Sequence, residues 1–313
     1  MMKSLLMVRM LPENLVKRLR EGYRLLGPLT SLEGDDLPPG AEDAEVLLTM
    51  SSIKTSRALI DALPNLRLVI CYGSGIEFVD RDYLQQRGIA LTNAAGANAS
   101  SVAEFAMGLI LAGSRHILTG DRFLRTGRWK GNSVERYPLL PGLQGAKLGI
   151  YGLGEIGRQI ARRAEAFDMR IGYHSRSRKP GGYHYLESLA QLAAWADILV
   201  VAARGTAQNY HAIDADILKL LGPQGHLINV ARGMLVDENA LCDALETGQL
   251  AGAALDVFES EPRVSERLLS MNNLILTPHL AAGTHSAQAA QQQRMLDNVG
   301  LYFSGGELIG RVC

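Results

Sequence analysis

Arg232, Glu261 and His279 are of types that together could drive acid–base chemistry on a carbonyl compound. Each stands at or just beyond the end of an apolar run. Arg232 follows HLINVA, Glu261 lies five residues past the Asp256 of AGAALDV, and His279 follows LILTP. Hydride reduction of a 2-oxo acid needs a cation for the carboxylate and carbonyl oxygen, and a proton donor for that oxygen as it becomes an alkoxide. Arginine and histidine meet those needs, and a carboxylate beside an imidazole holds the ring and favours its protonated form. Taken singly, each residue also has a plainer reading. Arg232 is then a surface ion pair, Glu261 a loop charge before Pro262, and His279 a loop histidine satisfied by its neighbours. The conjunction of all three, at strand ends, points to chemistry.

A second pattern supplies a partner for that chemistry. Gly152-Leu153-Gly154-Glu155-Ile156-Gly157 is a G-x-G-x-x-G that directly follows the apolar run KLGIY and opens the helical pattern IGRQIARRAEAF. Gly152 permits a tight turn, Gly154 lets backbone N–H groups approach a pyrophosphate at the positive helix end, and Gly157 lets helix and strand pack closely. The alternative is a glycine-rich turn that binds nothing; the further βα units in register argue against it. About twenty residues on, where an acidic residue usually meets the ribose 2′-hydroxyl of NAD, the sequence reads Tyr173-His174-Ser175-Arg176-Ser177-Arg178-Lys179. Hydroxyls and cations suit a 2′-phosphate, which a carboxylate would repel. The expected cofactor is NADP(H), with NAD(H) as the weaker alternative; a solvated basic loop is the plainer reading of the same residues.

These residues need a frame to hold them. From Lys147 onward, short β-rich apolar runs (KLGIY, MRIGY, DILVVAA, HLINV, AGAALDV, LILT) alternate with helical patterns, including one around Leu186 to Trp195, DILKLL and DENALCDALETG. Strands buried on both faces and separated by amphipathic helices imply parallel βαβ crossovers, hence a doubly wound α/β sheet. The first hundred residues repeat the style less regularly, with SLLMVR, EVLLT, LRLVICYG and IALTN as strands and ENLVKRLREG and SRALIDALP as helices, giving a second, smaller α/β domain. Between them lies a long apolar helix, SVAEFAMGLILAGSRHIL, capped by Asn98 or Ser100 and placed at the domain boundary.

Composition narrows the class. A chain of 313 residues fits two domains, and 47% hydrophobic with 20% charged residues is ordinary for a globular protein. Thirty-two basic against thirty-two acidic residues create no general field toward nucleic acid or an anionic membrane. Cys71, Cys242 and Cys313 form no C-x-x-C pair, so neither a disulfide framework nor a zinc site is expected. The amino-terminal apolar run is broken by Arg9, and no run approaches about 18 apolar residues. The expected location is the cytoplasm.

The motifs together resemble the D-isomer-specific 2-hydroxyacid dehydrogenases, nearer their glyoxylate/hydroxypyruvate reductase branch. The likeness runs through Gly73-Ser74-Gly75-Ile76-Glu77-Phe78-Val79-Asp80, the glycine loop, Asn229-Val230-Ala231-Arg232-Gly233, Leu255-Asp256-Val257-Phe258-Glu259-Ser260-Glu261-Pro262 and Thr277-Pro278-His279. The resemblance implies two Rossmann-like domains with parallel sheets and a site in the cleft between them. The substrate-binding domain would be discontinuous and flavodoxin-like (1–97 and 284–313), and the dinucleotide-binding domain would span 98–283. It implies a catalytic trio of Arg232, Glu261 and His279, a substrate carboxylate held by the N–H groups of Ser74 and Gly75, and a nicotinamide amide held by Asp256. Glu155, Ile156, Thr206, Val230 and Ala231 join the glycines and Ser175, Arg176 and Ser177 as expected cofactor contacts. A homodimer is expected as well, for which the apolar helix after Asn98 offers a surface.

Two departures from the family pattern stand out. Glu77 replaces a frequent aspartate, and Ala202-Ala203-Arg204-Gly205-Thr206 replaces the usual small-residue, proline, leucine, threonine run. Arg204 is then either a solvent-facing substitution or an additional anion ligand. The expected activity is NADPH-dependent reduction of a small 2-oxo acid such as glyoxylate or hydroxypyruvate to the D-2-hydroxy acid. Met10, Leu11 and Met50 are expected to form an adaptable wall that also admits bulkier 2-oxo acids, with further walls near Ser52 and at Arg136 to Pro138. A nucleotide-sensing, corepressor-like binding protein without turnover is the alternative.

Overall fold

The structure is a computed structural model that describes residues 2–130 and 139–313. The loop at Arg136 to Pro138, expected to wall the pocket, lies outside the described residues. The chain divides into two units, Met1–Asn98 with Thr284–Cys313, and Ala99–Gly283.

The first unit carries β1 (Ser4–Met7), β2 (Arg24–Leu26), β3 (Ala44–Thr49), β4 (Leu68–Cys71) and β5 (Ala90–Asn93), with α1 (Glu13–Gly22), α2 (Arg57–Asp61) and α3 (Arg81–Gln86) between strands. The sheet runs β2-β1-β3-β4-β5, every pairing parallel. Its apolar runs are continuous because both faces are covered. Leu5 and Met7, Val46 and Leu48, Leu68 and Ile70 enter one core cluster, whereas Leu6, Leu47, Val69 and Cys71 enter the cluster on the other face. Leu11 belongs to the first of these clusters at 2% exposure. It packs as a core residue, where the expectation put it on an adaptable wall; Met10 beside it is exposed, and Met50 packs on the same cluster.

The second unit begins with α4 (Ala99–Ser114) and α5 (Ile117–Arg125). The single helix expected through Leu118 is therefore two. The Ser114 hydroxyl bonds back to Ile110 O at 2.6 Å, which loosens a helix end, and His116 takes a left-handed φ of 50° that stops it. The helix starts at Ala99, so Asn98 stands at the capping position, but its Oδ1 is buried without a hydrogen-bond partner, and Ser100 in the first turn accepts from Arg163 Nη2 at 2.7 Å; the expected side-chain cap is not formed by Asn98. Val102, Ala103, Ala106, Met107 and Ile110 of α4 are spent on this unit's own core. The large exposed apolar side chains fall instead on α5: Ile117, Leu118 and Leu124.

There follow β6 (Lys147–Tyr151), α6 (Glu155–Glu165), β7 (Arg170–His174), β8 (His184–Tyr185), α7 (Leu189–Trp195), β9 (Ile198–Val201), α8 (Ala215–Leu221), β10 (His226–Asn229), α9 (Glu238–Glu246), β11 (Gly252–Leu255), α10 (Glu266–Leu269) and β12 (Leu274–Leu276). The sheet order is β12-β11-β10-β9-β6-β7-β8, again parallel throughout. Strand order reverses between β6 and β9, and ligands of open α/β sheets bind beyond the carboxyl strand ends at such a point. In β9, Ile198 and Val200 face one core cluster and Leu199 and Val201 the other. Cutting Leu199 to alanine in so closed a layer should cost about 2–5 kcal/mol.

The chain then enters α11 (His285–Ser304), capped by Thr284 Oγ1, which accepts from Ala287 N at 3.1 Å. Met295 and Val299 of this helix complete a core cluster of the first unit. Beyond it the terminal residues cover the β5 edge, Leu91 N donating to Cys313 O at 3.3 Å and Val312 N to Leu91 O at 2.8 Å. Among the described residues, no helix is long and apolar enough to cross a membrane.

Candidate active site

The carboxyl ends of β10, β11 and β12 carry the three residues singled out by type. After β10, the buried Asn229 folds its amide back on its own turn: Nδ2 donates to Arg232 O at 2.9 Å and Oδ1 accepts from Ala231 N at 3.0 Å. That fixes the backbone at Arg232, whose guanidinium Nη1 donates to Ala231 O at 2.7 Å. Gly233 comes next and lies backbone to backbone against the turn after β11. A Cβ at this position would sit 1.9 Å from Phe258 C and 2.3 Å from Glu259 N, so no side chain fits. The Arg232 turn and the turn that carries Glu261 are thereby pressed together.

Glu261 uses both its oxygens. Oε1 accepts the backbone N–H of Phe258 at 3.0 Å and Oε2 meets His279 Nδ1 at 2.8 Å. A carboxylate only accepts, so Nδ1 carries the hydrogen and Nε2 is left for other partners. The pair is open to solvent on one side, with the His279 side chain 48% exposed. Glu259, the other glutamate of this turn, is engaged elsewhere. Its carboxylate holds His211 Nε2, and its N–H donates to Glu238 Oε1 at 2.8 Å. Burial keeps the Glu238 carboxyl above the usual carboxylate range, the Glu259 N–H pulling against it.

Asp256 directly follows β11 and is wholly enclosed. Its oxygens accept from Thr277 Oγ1, Leu280 N and Ala281 N, all in the loop that carries His279. The expected contact of Asp256 with a nicotinamide amide thus concerns a carboxylate already engaged by its own fold.

The glycine loop follows β6. Gly152 adopts φ 101°, and a Cβ there would lie 2.5 Å from the Cα of Ala203. A Cβ on Gly157 would lie 2.2 Å from Gly152 O, so helix and loop need glycine in order to touch. Gly154, the N-cap of α6, faces open space, and with the helix dipole behind them the first-turn amides of Glu155, Ile156 and Gly157 suit a phosphate. On one flank, β7 ends in His174 without an acidic residue. Ser175 Oγ donates to Ser177 O at 2.8 Å, which closes the turn and leaves Arg176 exposed. On the other flank, Arg204 after β9 is exposed, and its carbonyl accepts from Asn209 Nδ2 at 3.0 Å. The Thr206 hydroxyl is committed to Asn209 Oδ1 at 2.9 Å as a cap, while Val230 and Ala231 are buried at the end of β10. A dinucleotide therefore fits this edge: an open phosphate cradle lies between two cationic turns.

In the first unit, Ser74 and Gly75 follow β4. Gly73 O accepts from Ala94 N at 2.9 Å and Ser74 O from Asn93 Nδ2 at 2.7 Å. In a trans peptide the N–H opposes the C=O, so the amides of Ser74 and Gly75 both point away from Asn93 and Ala94. Cys71 Sγ supports the same loop by donating to Gly75 O at 3.2 Å. Burial pushes that thiol up to about 11, Ser51 pulling it down, so it serves as a neutral hydrogen-bond donor. Asn93 was not singled out from the sequence, and Asn229 and Thr277 were read only as members of family motifs, without a role. The available signal was an amide or hydroxyl at or just past the end of an apolar strand run.

Comparison with known proteins fits this geometry. The profile of the D-isomer specific 2-hydroxyacid dehydrogenase NAD binding domain matches residues 107–281. The chain is 40% identical over 276 residues to hydroxyphenylpyruvate reductase of Plectranthus scutellarioides, covering 88% of this chain and 87% of that protein. It is 42% identical over 252 residues to glyoxylate/hydroxypyruvate reductase A of Arabidopsis thaliana, covering 80% of each. Among solved structures, the NADPH-dependent glyoxylate/hydroxypyruvate reductase of Sinorhizobium meliloti, in complex with NADP and malonate, superposes with a TM-score of 0.89 at 37% identity, over 100% of this chain and 97% of that one.

Proposed function

The chain belongs to the D-isomer-specific 2-hydroxyacid dehydrogenase family of NAD(P)-dependent oxidoreductases, and on that premise we propose that it reduces small 2-oxo acids to D-2-hydroxy acids with NADPH. The observation that carries the proposal is the bond between His279 Nδ1 and Glu261 Oε2 at 2.8 Å. It turns a loop histidine into an oriented acid whose Nε2 is the atom left to give up a proton.

The nicotinamide, when bound, supplies the hydride to the carbonyl carbon. Everything else falls to the protein. Arg232 binds the 2-oxo acid by charge and polarises its carbonyl, and the Ser74 and Gly75 amides hold the carboxylate. His279 passes its Nε2 proton to the oxygen as negative charge develops there, while Glu261 keeps the ring in place and offsets the imidazolium charge. Solvent returns the proton to His279 afterwards. The glycine loop and α6 amides hold the pyrophosphate, with Arg176 on the 2′-phosphate and NADH as the weaker donor.

Glyoxylate and hydroxypyruvate are the first substrates to try. The likeness to a hydroxyphenylpyruvate reductase supports including aryl pyruvates. The homodimer and the cytoplasmic location belong to the same proposal. Because α4 spends its apolar side on its own unit, the exposed Ile117, Leu118 and Leu124 of α5 are the better dimer surface. Loss of NADPH absorbance with this panel of 2-oxo acids tests the function directly; a protein that binds NADPH but turns over none of them would be a sensor and not a reductase.

A further inference from the structure

Among the described residues, Asp256 is the one charged side chain that the fold buries, at 0% exposure. An ionised carboxylate in such a place must be satisfied by donors, and all of its donors come from one short segment. Oδ1 accepts from Thr277 Oγ1 at 2.5 Å and from Leu280 N at 2.8 Å, and Oδ2 accepts from Ala281 N at 2.9 Å. The backbone carbonyl of Asp256 accepts a fourth bond, from His279 N at 2.9 Å. His279 is thus bracketed on both sides and tied at its own backbone by a single residue of the neighbouring strand end.

The bracket acts where the backbone is least at ease. His279 adopts φ 54°, in the left-handed region that a residue bearing a Cβ enters at a cost. Such a conformation persists only when its surroundings over-determine it, and four bonds to Asp256 do so. The left-handed turn sets the direction in which the imidazole leaves the chain, hence its reach to Glu261 Oε2 at 2.8 Å.

We propose that Asp256 is the positioning residue of the His279 loop, holding it in the left-handed turn that delivers the imidazole to Glu261. This deepens the reading of His279 as the acid and rests on it. The chemistry specifies a carboxylate. Asparagine would keep the volume, but with either flip its NH2 would face a backbone N–H, that of Leu280 or that of Ala281.

The test compares Asp256→Asn with the unaltered chain in three measurements: the His279 imidazole signals by NMR without cofactor, the dissociation constant for NADPH, and kcat and KM for a 2-oxo acid. The expected result is that the hydrogen-bonded Nδ1–H signal of His279 is lost. In addition, kcat should fall by about two orders of magnitude while the NADPH dissociation constant stays within about twofold, and adding Asp256→Asn to His279→Ala should cause little further loss. An Asp256→Asn protein with weakened NADPH binding, an intact His279 signal and normal kcat at saturating NADPH would overturn the proposal and return Asp256 to the cofactor. Should Asp256→Asn fail to fold, Thr277→Val removes one donor alone; an unmoved His279 signal in that variant would equally overturn it. The NMR arm does not depend on turnover, so failure of the reductase reading and failure of the positioning role are told apart.

Discussion

His279 and Glu261 are joined by a 2.8 Å bond from Nδ1 to Oε2, and the second oxygen of the same carboxylate is held by the Phe258 N–H at 3.0 Å. The carboxylate cannot turn away without breaking its backbone anchor, so the imidazole is oriented by a group that is itself oriented. In the proposed mechanism removing the ring removes the acid, and His279→Ala should lose about two or more orders of magnitude in kcat. Glu261→Gln keeps an acceptor for Phe258 N but not the charge, and should lose about tenfold or more. Arg232→Ala should damage KM and kcat together, because in the same mechanism the residue both binds and polarises. Steady-state rates with glyoxylate and hydroxypyruvate check all three; near-normal turnover by His279→Ala would remove that residue from the mechanism.

A different kind of loss is expected in the first unit. Asn93 contacts no substrate in the proposed mechanism; it holds Ser74 O through Nδ2 at 2.7 Å and takes Ala95 N on Oδ1 at 3.2 Å. Asn93→Ala frees the peptide whose N–H belongs to Gly75. The prediction is a rise in KM for the 2-oxo acid of about tenfold, the weight of one charge-assisted hydrogen bond, with the NADPH dissociation constant unchanged. Equal changes for both ligands would mean general loosening of the unit.

These two predictions also mark what could be read from the sequence. The strands β6, β9 and β10 were legible because burial on both faces turns them into unbroken β-rich runs, and the candidate trio was picked out because each member stands at or just beyond the end of such a run. The edge strands β2 and β8 have only three and two residues and are only partly buried, so no periodicity marks them. The break at His116 depends on one backbone angle inside an apolar pattern that reads as continuous. Asn93 and Asp256 were harder still: the first acts on residues 19 positions earlier and the second on residues 21 to 25 positions later. Such partnerships exist only once parallel strands have placed their ends side by side.

Acid sensitivity should trace in part to His226, which opens β10. Burial keeps its ring from protonating and lowers it from the ordinary value of 6.5, the backbone at Gln224 pulling upward and His116 pushing further down. Above that value both folded and unfolded chains hold a neutral ring. As pH falls through it, the unfolded chain gains a proton that the folded chain refuses, so stability declines until the folded value is reached. Denaturant unfolding of the full chain from pH 7.5 down to 5 should therefore slope more steeply than that of His226→Gln, by up to one proton. Parallel slopes would locate the sensitivity in other groups.

Cofactor choice is expected to rest on the two cations that flank the glycine loop. The register pairs Tyr151 at the end of β6 with His174 of β7 and with Val201 of β9, so the turns carrying Arg176 and Arg204 leave the sheet on either side of Gly152. Arg176 occupies the flank where the ribose lies in such sheets, and charge-assisted bonds to a 2′-phosphate are worth about 1.5–3 kcal/mol each. NADPH should accordingly outperform NADH by at least about tenfold in kcat/KM, and Arg176→Ala should erase most of that preference by weakening NADPH alone. Arg204 stands two strands away from Arg176, a separation of about 9–10 Å at the backbone, and a long side chain spans much of it. An Arg204 that meets the phosphate, when replaced by leucine, should raise KM for NADPH and leave NADH nearly unaffected. An Arg204 stacked on the base should weaken both cofactors alike. If Arg204→Leu changes neither, the residue is a solvated cation and Arg176 alone makes the discrimination, so cofactor titrations of the single and double variants decide among the three roles.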